Sequence, residues 1–373
     1  MQNSAIKALA LWTIEQAVAI QQIAAPTFEE KPRADYVAAQ FRALGLTGVE
    51  MDDLFNVYGR LPGKSPNQQG LMITAHTDTV FAASINLTTR HEGDYLFGAG
   101  LGDNSVGVAG MLALIKWLRD EKITLSQPIW FVATTREEGL GDLGGMRAAF
   151  NRLRDQVRGV VNLEGLAFGH VYHAGIAVRR LKISASTSGG HSWLHFGRPS
   201  ANNAIVQLGA RITAIQPLSN PRTTYNIGMI EGGTTINAIA THASLWLDLR
   251  SEDRAALARL EAEVRTHIKA LEADDLMFTV EIVGDRPAGS IPVSHPLVQA
   301  ALTSLSDLGV RGSLEIGSTD ANVPLSEGCP AITVGITRGG NAHRVDEYIE
   351  VAPVALGLRH LISLVTTLAK DSR

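Results

Sequence analysis

At 373 residues the chain exceeds the usual size of one hydrophobic core, so two domains are expected. Hydrophobic residues make up 45% and charged residues 19%, which excludes a mostly disordered chain, and a net charge of −4 without a basic stripe excludes nucleic-acid binding. Cys329 is the only cysteine, so no internal disulfide can form and a reducing, cytoplasmic setting is expected.

The first 21 residues carry Ile6, Leu9, Ala10, Ile14, Ala17 and Ile20 at helical spacing. Lys7, Glu15 and several glutamines interrupt them, which argues against a signal peptide, and no later run is long enough for a membrane helix. Residues 71–75 read as a buried strand, 106–118 as an amphipathic helix, and 129–134 as a second strand. A helix at 146–153 and a third strand at 157–163 follow. Strands alternating with helices predict an α/β layer fold with a largely parallel sheet.

The middle changes character. Residues 180–187 alternate apolar and polar, 200–215 are helical, and 223–230 and 243–250 are strands. A long helix at 252–273 and a strand at 277–283 complete a strand–helix–strand–strand–helix–strand order, the split βαβ pattern of an open-faced ferredoxin-like sandwich. A linker starts at Arg286. A helix at 295–308, strands near 313–316 and 331–336, and a final helix resume the α/β style. The expected organisation is a catalytic domain of residues 1–176 and 287–373, a mixed, largely parallel sheet between helices of the phosphorylase/hydrolase-like kind. An α+β sandwich of residues 177–286 is inserted in it as a second domain.

Chemistry-bearing residues recur at the predicted strand ends. The first strand ends in His76-Thr-Asp78, where an imidazole can bind a metal while the carboxylate fixes its tautomer; a buried histidine bonded to an aspartate reads the same way. Asp103 follows a glycine-rich stretch just before a helix, as a ligand or as a helix N-cap. The second strand runs into Glu137-Glu138, for which one division is Glu138 on a metal and Glu137 as base. The third strand ends in Leu163-Glu164-Gly165, and His343 sits in a late loop before Asp346-Glu347. All lie at or beyond the carboxyl ends of predicted strands, where open α/β sheets gather ligand sites. Two histidines and three carboxylates suit a pair of zinc ions sharing one bridging carboxylate.

These motifs, in this order, resemble the metallopeptidase family with an inserted dimerisation domain. That family includes glutamate carboxypeptidase, acetylornithine deacetylase, succinyl-diaminopimelate desuccinylase, aminoacylase and tripeptidase T. The resemblance implies that Asp103 bridges two divalent metal ions, zinc first and cobalt or manganese as alternatives. His76 and Glu164 then complete one site, Glu138 and His343 the other, and Asp78 orients His76. It also implies a cis bond at Asp103–Asn104; Asn104 stands where many members carry a charged residue, and the backbone role does not depend on its side chain. His191, in Gly189-Gly190-His191, is implied to stabilise an oxyanion, with a surface-loop histidine as the alternative reading. Asn237, Arg250 and Asp320 match substrate-contacting positions. A guanidinium suits a carboxylate bidentately, though Arg250 also suits an ion pair with Asp248 or Glu252, and Asp320 also suits a helix cap.

The implied activity is amide hydrolysis with Glu137 as general base, on small peptides as an exopeptidase or, alternatively, on N-acyl amino acids as a deacylase. A non-catalytic metal-binding scaffold protein is the remote alternative. A homodimer through the inserted domain, with no nucleic-acid or membrane partner, completes the expectation.

Overall fold

The N-terminal apolar spacing becomes helix α1 (Asn3–Gln21), which buries Ile6, Leu9, Ala17 and Ile20. The computed structural model describes residues 3–369, so the first two residues of that expected segment lie outside the described residues. Helix α2 (Lys31–Ala43) is one that the sequence pattern does not announce. Its buried face is built mostly from small residues, Ala34, Val37 and Ala38 with Phe41, and its N-terminal turn carries a proline. Strands β1 (Thr47–Met51) and β2 (Val57–Leu61) follow, then β3 (Gly70–His76), in which all seven residues are buried. Helix α3 (Val106–Asp120), β4 (Ile129–Thr134), α4 (Gly144–Leu153), β5 (Val157–Leu163) and β6 (His170–Gly175) continue the layer.

The middle of the chain forms β7 (Ala177–Ser186), α5 (Ala201–Ala214), β8 (Thr223–Gly232), β9 (His242–Ser251), α6 (Arg254–Lys269) and β10 (Met277–Arg286). Helix α7 (Pro296–Ser306), strands β11 (Ser313–Gly317) and β12 (Ala331–Val334), and helix α8 (Val354–Leu368) then close the chain. Two compact units result: Met1–Gly175 with Gly289–Arg373, and Ile176–Ala288.

The first unit is built on a nine-stranded mixed sheet in the order β1-β2-β4-β3-β5-β12-β6, with the short strand Gly289–Ser290 beyond β6 and β11 also paired to β6. Its centre is parallel: β3 pairs with β4 and with β5, and β5 with β12. Central strands of a parallel sheet are covered on both faces, which is why β3 is mostly apolar and Thr74, buried within it, bonds to Asn162. Parallel alignment also sends the carboxyl ends of β3, β4 and β5 to one edge. A second, four-stranded antiparallel sheet joins Arg90–Glu92, Tyr95–Phe97, Tyr348–Glu350 and Gly339–Gly340. It sets the loop before α3 beside the loop that holds His343.

The second unit is a four-stranded antiparallel sheet in the order β8-β9-β7-β10. Leu181 faces Leu247 and Ile183 faces Leu245 across β7 and β9, and α5 and α6 complete its own core with Leu208 and Val264. Helix α6 starts two residues later than the sequence spacing suggests, because Asp253 caps it by accepting the Ala256 N–H at 2.7 Å. No helix among the described residues is long and apolar enough to cross a membrane.

Candidate metal centre

Each expected ligand of the first unit reaches one small volume. His76, the last residue of β3, is buried and places Nε2 3.0 Å from Asp103 Oδ1 and 3.5 Å from Glu164 Oε2. The other oxygen of Asp103 lies 3.0 Å from His343 Nε2, which is also 3.2 Å from Glu138 Oε1. Asp103 therefore stands between two imidazoles, one on each carboxylate oxygen. His76–Asp103–Glu164, Asp103–Glu138–His343 and His76–Glu137–Glu138 each gather ligand atoms within 4.8 Å. Asp103 has extended rather than helical backbone angles and α3 begins only at Val106, so the N-cap reading of Asp103 does not hold. The Asp103–Asn104 peptide is cis.

Crowding shapes the electrostatics. Burial pushes Glu138 up to about 7, and the charges of Asp103 and Glu137 add to it. Burial likewise raises Glu164, with help from Asp103 and Glu137. Burial opposes ionisation of Asp103 too, but its bonds to His343 and His76 outweigh that and hold its carboxyl below the usual range. So many carboxyls in one buried place lack positive charge. Two imidazoles and three carboxylates, all with donor atoms turned inward, fit a divalent cation that accepts nitrogen and oxygen ligands.

Surrounding residues hold these ligands, and several of them have no motif in the sequence. Asp78 takes the Glu137 N–H on Oδ1 and the Glu138 N–H on Oδ2, both at 2.9 Å, and the Thr27 hydroxyl at 2.8 Å. His76 Nδ1 is nearer the backbone oxygen of Asp78, at 3.1 Å, than its carboxylate, at 3.5 Å. Asp78 thus orients His76 mainly by its carbonyl, while its carboxylate orients the Glu137–Glu138 backbone. Glu30, at the start of α2, accepts the next N–H upstream, that of Arg136, at 3.1 Å. Buried Arg33, lowered to about 10 by burial, donates to the carbonyls of Ile23 and Thr77.

The Asn104 side chain has a role of its own, which the motif does not announce. Its Nδ2 donates to the Leu163 carbonyl at 2.7 Å and its Oδ1 accepts the Gly165 N–H at 2.8 Å, gripping the backbone on both sides of Glu164. Asn162 donates to Glu164 Oε1 at 3.2 Å. Asp320 departs from the expected substrate contact: it is fully buried, its Oδ2 accepts the Thr134 hydroxyl at 2.6 Å, and burial with the Glu137 charge pushes it up to about 8. The residues after it fold into a helical turn, Asn322–Ser326.

The remaining expected residues belong to the second unit. His191 is exposed, lies in the short pairing of Gly190–His191 with Ala238–Ile239, and accepts the Trp193 N–H at 3.1 Å. The Ser192 N–H donates to the Asn237 carbonyl at 3.1 Å, so His191 and Asn237 are neighbours. Arg250 stands near the carboxyl end of β9 and donates to Asp248 at 2.9 Å, the ion-pair alternative.

The family model described as Peptidase family M20/M25/M40 matches residues 72–367, a span that includes every residue of the candidate centre. The chain belongs to this family. As a member of it, the protein is a hydrolase of amide bonds. An uncharacterised Bacillus subtilis protein, YqjE, is 24% identical over 345 residues, 87% of this chain and 89% of that protein. Acetylornithine deacetylase of Erwinia tasmaniensis is 25% identical over 340 residues, 84% of each chain. The crystal structure of aminopeptidase PepT from Bacillus cereus superposes with a TM-score of 0.75 at 22% identity, covering 97% of this chain and 99% of that one. The two-unit architecture is thus that of the family.

Proposed function

We propose that this member of the family is a two-metal exopeptidase that cleaves small peptides beside a free carboxylate. The observation that carries the reading is Asp103, paired on one oxygen with His76 and on the other with His343, with Glu164 and Glu138 completing the two groups. Asp103 would bridge two ions, zinc first and cobalt or manganese as alternatives. When bound, such ions supply Lewis acidity towards water and the scissile carbonyl. Glu137, beside Glu138 at the end of β4, takes the proton of the attacking water and hands it to the departing amine. Asp78 fixes the backbone of Glu137 and the ring of His76.

In the second unit we assign His191 to oxyanion stabilisation and Asn237 and Arg250 to substrate contact. Homodimerisation through this unit is supported by edge strand β8, which exposes Met229 and Ile230. The single cysteine supports a cytoplasmic setting.

A second reading, an N-acyl-amino-acid deacylase, is favoured by the acetylornithine deacetylase and succinyl-diaminopimelate desuccinylase relatives. Amine release from dipeptides, tripeptides and N-acetyl or N-succinyl amino acids, after chelation and reloading with zinc, cobalt or manganese, separates the two. Release from peptides alone supports the exopeptidase, and release from acyl amino acids alone supports the deacylase. Bound metal with no turnover on any substrate sinks both in favour of a metal-binding scaffold.

A further inference from the structure

We propose that Glu347 is a positioning residue of the metal centre, locking the Asp103 loop to the His343 loop so that both side chains meet at one ion. Glu347 is fully buried. Its Oε1 accepts the N–H of Gly102 at 2.5 Å and that of Asp103 at 2.8 Å, and its Oε2 accepts that of Gly100 at 3.4 Å. Gly100 takes a φ of +70°, a conformation that glycine reaches without strain, and this turns the loop's N–H groups towards one carboxylate. The Glu347 carbonyl in turn accepts the Gly98 N–H at 2.8 Å, which continues the pairing of Tyr348–Glu350 with Tyr95–Phe97. One residue therefore binds residues 98–103 from both its main chain and its side chain.

The same residue ends the turn that presents His343. The Glu347 N–H donates to the Arg344 carbonyl at 3.1 Å, and the Arg344 N–H donates to that of Asn341 at 3.0 Å. His343 sits at φ +68° with its side chain 54% exposed, so little packing fixes it. His76 and Glu164, by contrast, stand at the ends of β3 and β5 in the central sheet. Loss of the Glu347 clamp therefore weakens the Asp103–Glu138–His343 group far more than the His76–Asp103–Glu164 group.

This inference rests on the two-metal reading above, and one experiment separates the two. Chelator-stripped wild type, Glu347→Ala and Glu347→Gln are titrated with zinc in a calorimeter, and their folding is followed by circular dichroism. Wild type is expected to bind two ions. In Glu347→Ala one ion is expected to bind about 10–100-fold more weakly while the other is weakened much less, and Glu347→Gln, which retains one acceptor oxygen, falls between. Two ions at wild-type affinity in both variants, or equal weakening at both groups, overturns the role of Glu347. Wild type that binds no zinc overturns the metal-centre reading itself. A measurement on metal-free wild type needs no variant: amide exchange of Gly100, Gly102 and Asp103 is expected to be slow, and exchange as fast as in an open loop overturns the clamp.

Discussion

Asp78 holds Glu137 through its backbone: Oδ1 accepts the Glu137 N–H at 2.9 Å, while Oδ2 accepts the Glu138 N–H at the same distance. One carboxylate thereby fixes the backbone of the proposed base and of the proposed ligand that follows it. Asp78→Asn keeps the shape but turns an NH₂ towards one of these donors. A buried donor left without an acceptor costs about 1–3 kcal/mol, and the strand end must shift to relieve it. The expected outcome is a fall in kcat of about 100-fold at saturating metal with little change in KM, because misplacement of a reacting group costs about that much. Steady-state kinetics on whichever substrate class the amine-release assay identifies checks it, and an unchanged kcat removes Asp78 from this role.

Asn104 predicts a different signature. Its amide spans the backbone on either side of Glu164, donating to Leu163 and accepting from Gly165. Asn104→Asp preserves the acceptor but sets a carboxylate oxygen against the Leu163 carbonyl. Glu164 then loses its fixed position, and affinity for the ion proposed at His76, Asp103 and Glu164 is expected to fall about 10–100-fold. Zinc titration of the stripped variant measures this, and wild-type affinity for both ions counts against it.

The contrast between Asp103 and Asn104 shows where sequence reading stops. The clustering of His76, Glu138 and Glu164 was legible because parallel strands must deliver their carboxyl ends to one edge, so these residues announce themselves by position. Asn104 and Glu347 act on backbone groups whose direction depends on a turn, and residue spacing says nothing about that direction. Glu30 is further removed still, just before a helix that the sequence pattern does not announce, yet it accepts the Arg136 N–H. Asp320 was legible as a polar residue in a loop, but its burial against Thr134, far away in sequence, was not.

Glu137 is distinguished from its neighbour by outcome. Glu137→Gln removes the proton acceptor and leaves the five proposed ligands intact. Turnover is expected to fall about 10²–10⁴-fold, with zinc content and melting temperature at wild-type values. Single-turnover kinetics with metal analysis checks this; loss of metal in proportion to activity would instead make Glu137 a ligand.

Far from the metal centre, His360 on α8 predicts a pH dependence of stability. It is buried, with Nδ1 2.9 Å from the Ser304 hydroxyl on α7 and Nε2 without a partner among the described residues. Burial lowers it from 6.5 to about 4, so the folded protein holds it neutral. Between pH 6.5 and pH 4 the unfolded chain binds a proton that the folded one refuses. Stability from this group is therefore complete above pH 6.5 and is lost as pH falls towards 4, by on the order of 3 kcal/mol. Chelator-stripped protein removes the competing effect of metal release over the same range. Denaturant unfolding of stripped wild type is expected to weaken across that window, while His360→Gln, which cannot titrate there, shows a flatter profile. Parallel profiles for the two proteins would mean that other groups set the acid response.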